Sequence, residues 1–343
     1  MTERPDLPVG RPAHFFRPAS AAALDIHEAC QEVALTAAAD PAAAVRQIND
    51  IIARRVLGLQ LPDDRQIAGW SWPAPPGDTR LPDGALAAAA SGERLEIHGW
   101  QRFRAGPHAD GGAIALVRDK EAANGGYIVA LNAAAIRHGE PIFGRDGFRI
   151  AEIAITQPQP FTAFEKVDAH RWQSALDRAV LVEELLHAAL DYGILHEFSS
   201  AAHVHLTTRT RPWQGQALDK ATSDPHLVRR YGEYVATRHA LEELLAQARG
   251  AVAAAAGSAD DAAHRRQARD AVAAARTFAA LAGRAIINGT LELLGAGATS
   301  QHYGFDVFWR DFTAHGVTHP PYWPAEVIGR DLVVNLQREK YYE

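Results

Sequence analysis

The sequence predicts an α+β fold in three regions: N-terminal helices, a central β-domain, and a C-terminal helical bundle. Three observations predict it. Alanine-rich stretches with apolar residues at helical spacing occupy the first 61 residues. Short β-rich runs broken by Pro, Gly, Asn and Asp fill residues 62–167. Long helical patterns joined by short turns run from residue 168 to the end at 343.

In the first region, helices are expected over Ala21–Ala39 and Ala42–Leu57. Asp40-Pro41 between them reads as an N-cap followed by proline at the first helical position, where its missing N–H costs nothing. Val45, Ile48, Ile51, Ile52 and Val56 form an i, i+3, i+4 stripe, so the second helix buries one face.

In the middle region the expected strands are Gln66–Trp72, Arg94–Trp100, Ala113–Arg118, Tyr127–Asn132 and Arg149–Thr156. Pro73-Ala-Pro-Pro-Gly77, Pro82-Asp-Gly84, Asn124-Gly-Gly126 and Asp146-Gly147 separate them. Regular short strands with such punctuation suggest a compact barrel or sandwich.

The third region opens with one helix over Asp168–Thr208, about 60 Å long at about 1.5 Å per residue. Helices at about Pro225–Ala256 and Asp260–Leu294 follow. Gly257-Ser-Ala-Asp-Asp261 offers a stop and a new N-cap between them. Long helices with short connections imply an antiparallel bundle.

Charge and composition exclude several functions. The formal net charge is −6 with no basic face, which argues against nucleic acid or an anionic membrane as partner. Cys30 is the only cysteine, so the chain forms no internal disulfide and no thiolate zinc site. The first twenty residues carry prolines and charges where a signal peptide has an apolar run. The expected location is the cytoplasm.

Metal is not expected. Glu184-Leu-Leu-His187 has di-iron helix spacing, but no second Glu-x-x-His stands in the bundle. The His203 and His205 rings lie about 200° apart around a helix, unsuited to one ion. The Glu183–Glu184 pair reads as a solvated helix face. Trp70, Trp72, Trp100 and Trp213 read mainly as core.

Thr207-Thr-Arg-Thr-Arg-Pro-Trp213, Ser223-Asp-Pro225 and Tyr231-Gly-Glu233 resemble the dibenzothiophene monooxygenase-like branch of the acyl-CoA dehydrogenase superfamily. Glu292-Leu-Leu-Gly-Ala-Gly-Ala-Thr-Ser300, His302-Tyr-Gly-Phe-Asp306, Trp309-Arg-Asp311, His315, His319-Pro320 and Ile328-Gly329 continue the resemblance in order. Leu95-Glu-Ile-His-Gly-Trp100, Phe103, Ala105-Gly106 and His108-Ala-Asp110 match more loosely the segment that crosses the flavin face.

The resemblance implies that superfamily's fold, with a central β-barrel, a C-terminal four-helix bundle and an N-terminal domain shortened to about half. It implies reduced FMN or FAD from a separate flavin reductase, O2, and a small organic substrate. Arg209, Arg211, Trp213, Trp100, Ala105, Gly106, Gly295, Gly297 and Ser300 fall at flavin-contacting positions. Arg209 and Arg211 would hold its phosphate, across a subunit interface or within the chain. His315, His302 and His319 are the candidates for moving a proton during oxygen transfer. His319 falls one residue later than the second histidine of relatives, so Thr318 is an alternative there. Ala105 stands where relatives carry a Ser or Thr that bonds the flavin edge.

Two other functions fit the same motifs. An acyl-thioester dehydrogenase needs a carboxylate base, yet Ser300-Gln-His-Tyr-Gly-Phe305 holds none; Glu183 or Glu184 would have to serve. A non-catalytic or half-site subunit would complete a partner's pocket, which the shortened N-terminal region and Ala105 support. The expected assembly is a homodimer, a homotetramer, or a heteromer with a full-length homologue.

Overall fold

The computed structural model describes residues 24–57, strands between residues 67 and 167, residues 169–318 apart from 214 and 258–261, and short helical pieces at 324–326 and 328–329. The chain divides into two compact units, one of residues 1–44 and 184–328, the other of residues 45–183 and 329–343.

Helix α1 spans Ile26–Ala39. Its N-cap is Asp25, whose carboxylate accepts from the His27 and Glu28 amides, so the helix begins later than the expected Ala21. Helix α2 spans Pro41–Asp50. The Ala42 and Ala43 amides both donate to Asp40 Oδ1 at 3.0 Å, as the Asp-Pro pair foretold. Asp40→Ala should cost about 0.5–2 kcal/mol of stability by urea denaturation, with Asp40→Asn close to neutral.

The helix then widens into a π segment, Ile51–Val56, where the Leu57 amide reaches back to the Ile52 carbonyl. Val45, Ile48, Ile51 and Ile52 are buried as the stripe required, whereas Val56, in the π segment, is only half-buried. Ala53 is buried with them, so three successive residues face inward.

Among the described residues eight strands form one sheet: β1 Ile67–Ser71, β2 Ala87–Ser91, β3 Arg94–Ala105, β4 Gly112–Asp119, β5 Gly126–Leu131, β6 Ile136–Phe143, β7 Phe148–Phe161 and β8 Phe164–Val167. Their order is β6-β7-β3-β2-β4-β5-β8, with β1 paired to β4. Strands β2, β6 and β8 were not expected, and β3 and β7 run longer than expected because they pair with each other from Leu95–Phe161 to Ala105–Arg149. On β4 the buried residues Ala113, Ala115, Val117 and Asp119 alternate at the strand period. Asp119 is polar at a core position, and the Tyr127 hydroxyl satisfies it at 3.0 Å.

The remaining helices are α3 Ala169–Thr208, α4 Pro225–Gly257, α5 Ala262–Leu294 and α6 Phe305–Thr318. In the first unit α4 packs on α5, α6 on α5, and α1 on α4. Helix α6, which the sequence reading missed, runs back along α3: Phe198 meets Phe305 and Phe308, while Asp191 meets His315. From Leu185 to Leu206, α3 buries residues on all sides, the pattern of a helix surrounded by others. Among the described residues no helix is long and apolar enough to cross a membrane.

Candidate active site

Two polar regions stand out in the first unit, one at its surface and one in its core. The surface region is where α3 ends. The Thr210 hydroxyl bonds the Leu294 carbonyl at 3.4 Å, which ties the end of α3 to the end of α5. That bond sets Arg209 beside the glycine turn that follows α5. Gly295 there has φ 83°, the left-handed region that glycine adopts without strain, and a Cβ on it would meet nothing within 4 Å. Arg209, Arg211, Trp213, Gly297 and Ser300 are all exposed, Trp213 to 80% of its surface. Trp213 is therefore not core.

His205 closes this end from inside. Its ring meets Tyr303 and Phe305 edge-on at 4.6 and 5.3 Å. Burial, then the nearby Arg209 charge, lowers its pKa and keeps the ring neutral. His302 is exposed on the turn before α6, its ring 5.0 Å from that of Tyr303. It belongs to this surface end.

The core region lies ten residues further along α6, about 15 Å at helical rise. His315 is fully buried, and both its ring nitrogens are engaged. Its Nδ1 is 2.5 Å from Asp191 Oδ1, and its Nε2 is 2.9 Å from His187 Nδ1. Arg276, also fully buried, donates through Nη1 to Asp191 Oδ2 at 2.5 Å and through Nε to Glu184 Oε2 at 3.3 Å. Burial pushes the Asp191 carboxyl up, but His315 and Arg276 more than reverse this and hold it below the usual carboxylate range.

An ionised Asp191 can only accept, so His315 carries its proton on Nδ1. On its other side His315 Nε2 meets His187 Nδ1, and the direction of that bond follows from which ring carries the proton between them. The result is a buried chain of contacts, Asp191–His315–His187, braced by Arg276.

The structure brings His315 to an interior cluster and His302 to the surface end. His319 and Gly106 lie outside the described residues, as do the side chains of Trp100 and Ala105. Ala105 itself closes β3, opposite Arg149 of β7. Glu183 and Glu184 are not a solvated face: Glu183 is 3% exposed and Glu184 meets Arg276.

Sequence reasoning missed Asp191 and Arg276. The signal was present: Glu184, His187 and Asp191 recur at one helical face inside an otherwise apolar stretch, and Arg276 stands alone among alanines. A second buried network was also missed. Tyr192 of α3 donates to Glu242 of α4, which also accepts from Arg238 at 2.9 Å and lies 2.6 Å from His239 Nδ1. Among the described residues no group of three or more His, Cys, Asp or Glu is placed to hold a metal.

Comparison with known proteins bears out the resemblance. No protein-family model matches the chain. Over 151 residues, 43% of the chain, it is 28% identical to dibenzothiophene monooxygenase of Rhodococcus erythropolis, and the match spans 36% of that protein's length. A solved complex of TdsC from Paenibacillus sp. A11-2 with FMN and indole superposes over 93% of this chain and 86% of its own, with TM-score 0.73 at 16% identity. Methanesulfinate monooxygenase MsuC of Pseudomonas fluorescens superposes over 92% of this chain and 85% of its own, with TM-score 0.70 at 18% identity. These likenesses show that the chain shares the fold of those proteins.

Proposed function

We propose that this chain, kin to dibenzothiophene monooxygenase over part of its length, is a flavin-dependent monooxygenase. It would take reduced FMN or FAD from a separate reductase and use O2 to oxygenate a small organic substrate. The observation that carries this reading is the juxtaposition of Arg209 with the Gly295 turn through the Thr210–Leu294 bond. A flavin phosphate needs a planar guanidinium fork and a backbone that can approach closely, and both are there.

The residues present fit that group. Arg209 and Arg211 would hold the phosphate, with Gly295, Gly297 and Ser300 lining it and Trp213 covering it. Trp100, Ala105 and Gly106 would follow the ring; with alanine at 105 any bond at that point comes from backbone rather than a side-chain hydroxyl. Reduced flavin, when bound, supplies the electrons that activate O2. The chain's own part is to bind, to exclude water and to move a proton, and His315 in its buried chain is the group for the last. Because the Arg209 end and the His315 cluster are separated along the helices, Arg209 would serve the flavin of a second subunit.

The same reading makes the sheet a β-barrel and α3–α6 a four-helix bundle. Residues 1–61, 62–167 and 168–343 become its domains. It makes the assembly a homodimer or homotetramer, or a heteromer with a longer homologue, in the cytoplasm. An acyl-thioester dehydrogenase is not favoured, because Glu184 is engaged by Arg276 and Ser300–Phe305 carries no carboxylate.

The test is the visible spectrum of the purified protein titrated with FMN and FAD, oxidised and reduced. Binding at micromolar or tighter, about −8 kcal/mol, is expected for one of the four. Arg209→Gln should weaken it about 10- to 100-fold, the worth of a charged hydrogen bond. No binding in any of the four states overturns the reading.

A further inference from the structure

We propose that His205 is a ligand-binding residue of the surface end, its ring donating a hydrogen bond to the phosphoryl group that Arg209 holds. Calling that group a flavin phosphate rests on the monooxygenase reading; the place of the ring beside Arg209 does not.

As a packing residue the imidazole is a poor choice. Only 7% of His205 is exposed. Its ring stands edge-on to Tyr303 and Phe305 at 4.6 and 5.3 Å, and among the described residues neither ring nitrogen has a hydrogen-bond partner. A buried polar group left without a partner destabilises the fold, and a phenyl ring would pack the same edges without that cost. The main chain of the residue is engaged: its carbonyl accepts from the Arg209 amide at 2.8 Å and the Thr210 amide at 3.1 Å, which closes α3. The fold thus explains the backbone of His205 and leaves its imidazole unexplained.

The surroundings of the ring point to the ligand. Helical side chains lean toward the N-terminus of their helix, so Arg209, one turn on, comes back over His205. Arg209 is exposed, and so is His302 beside Tyr303, which places the ring one side chain below the surface. The charge that acts on it is that of Arg209, and no carboxylate among the described residues meets it. A neutral imidazole has one N–H and one lone pair, and without a partner either nitrogen can carry the proton. It can therefore give one hydrogen bond outward without burying a second positive charge beside Arg209. A phosphoryl group offers three acceptor oxygens. The guanidinium fork takes two of them, and the neutral donor beside it suits the third. A carboxylate has two oxygens, both engaged by the fork, so the pair of donors favours a phosphoryl group over a carboxylate.

The measurement compares FMN with riboflavin, which lacks the phosphate, by fluorescence titration of the full chain, His205→Phe and His205→Gln. In His205→Phe the FMN affinity should fall about 10- to 100-fold, the worth of a hydrogen bond to a charged group. Riboflavin affinity should stay as it was, and Tm should hold or rise because the unpartnered polar ring is gone. His205→Gln keeps an N–H donor and should recover part of the loss. An unchanged FMN affinity in His205→Phe overturns the proposal, and so does equal weakening of FMN and riboflavin, since either makes the ring a packing group. Should His205→Phe not fold, or should the chain bind no flavin, inorganic phosphate decides. In nitrogen NMR of the full chain labelled on histidine, the His205 ring signal, identified by its loss in His205→Gln, should shift with phosphate and not with chloride at equal ionic strength. No phosphate-specific shift overturns the proposal. A chain that binds no flavin yet shows that shift sinks the monooxygenase reading and leaves His205 its role, whereas flavin binding with no loss of FMN affinity in His205→Phe does the reverse.

Discussion

Arg276→Met should cost the fold about 3–5 kcal/mol at neutral pH, the usual loss when one partner of a buried ion pair is removed. Methionine follows the arginine stem closely, so the cavity left is small and the loss is mainly electrostatic. It leaves Asp191 with His315 as its remaining partner and takes from Glu184 the Nε bond at 3.3 Å.

The loss carries a pH signature. In the parent chain Asp191 has a depressed pKa, so its stabilising share is present above the unfolded value of about 3.9 and fades as pH falls through the folded one. Removing Arg276 takes away one of the two partners that hold the Asp191 pKa down, so that pKa moves back up and the share of stability it carries above about 3.9 shrinks. Urea unfolding at about pH 7 and about pH 3.5, on either side of the ordinary aspartate value, should therefore show the larger deficit at neutral pH. A deficit under about 1 kcal/mol at neutral pH, or one independent of pH, would mean that Arg276 does not hold Asp191 ionised.

Features written in short stretches of chain were legible. Asp40-Pro41 is local, and so is the Val45–Ile52 stripe; both hold in the structure. The ends of α3 at Thr208 and of α5 at Leu294 were also read closely. The missed strands are those whose reason lies elsewhere. Strand β2 is four alanines and a serine, poor strand formers, and exists because β3 pairs along all five. Strand β8 is four residues held by β5, some 38 positions earlier in the chain. Strand β6 contains Gly139 and Pro141, which read as turn residues until β7 pairs around them.

The site divides the same way. Residue type and motif singled out His315. Its meaning depends on Asp191, 124 positions away, and on Arg276, 85 from Asp191. Nothing in the sequence near Asp191 announces a partner at either distance. Glu184 was read as solvated because a helix taken alone has an outer face; α3 has other helices around it and loses that face.

Gly193 on α3 gives the second large effect, and here two physical arguments oppose each other. On an exposed helix, glycine to alanine gains about 1 kcal/mol from reduced backbone freedom. At Gly193 a Cβ would run into the Ala34 carbonyl oxygen of α1 and lie 2.9 Å from its carbonyl carbon and 3.0 Å from its Cα. Those atoms are backbone and cannot rotate aside. Ala34 sits on the buried face of α1 with Cys30, Val33 and Ala37, so α1 would have to move as a body. Cys30 marks how dry that seam is: burial, partly opposed by Arg249, pushes its thiol up to about 12. Overpacking of this kind costs about 1–3 kcal/mol and more where backbone must shift, which outweighs the helix gain. Gly193→Ala should lower Tm by on the order of 5 °C. Gly232→Ala is the matched control: it lies on α4, exposed, with nothing within 4 Å of its Cβ position. There the helix term acts alone, and stability should hold or rise by up to about 1 kcal/mol. Equal shifts in the two variants would mean that α1 does not press on α3 at Gly193. Opposite signs would establish that this glycine is kept for closeness of approach rather than for flexibility.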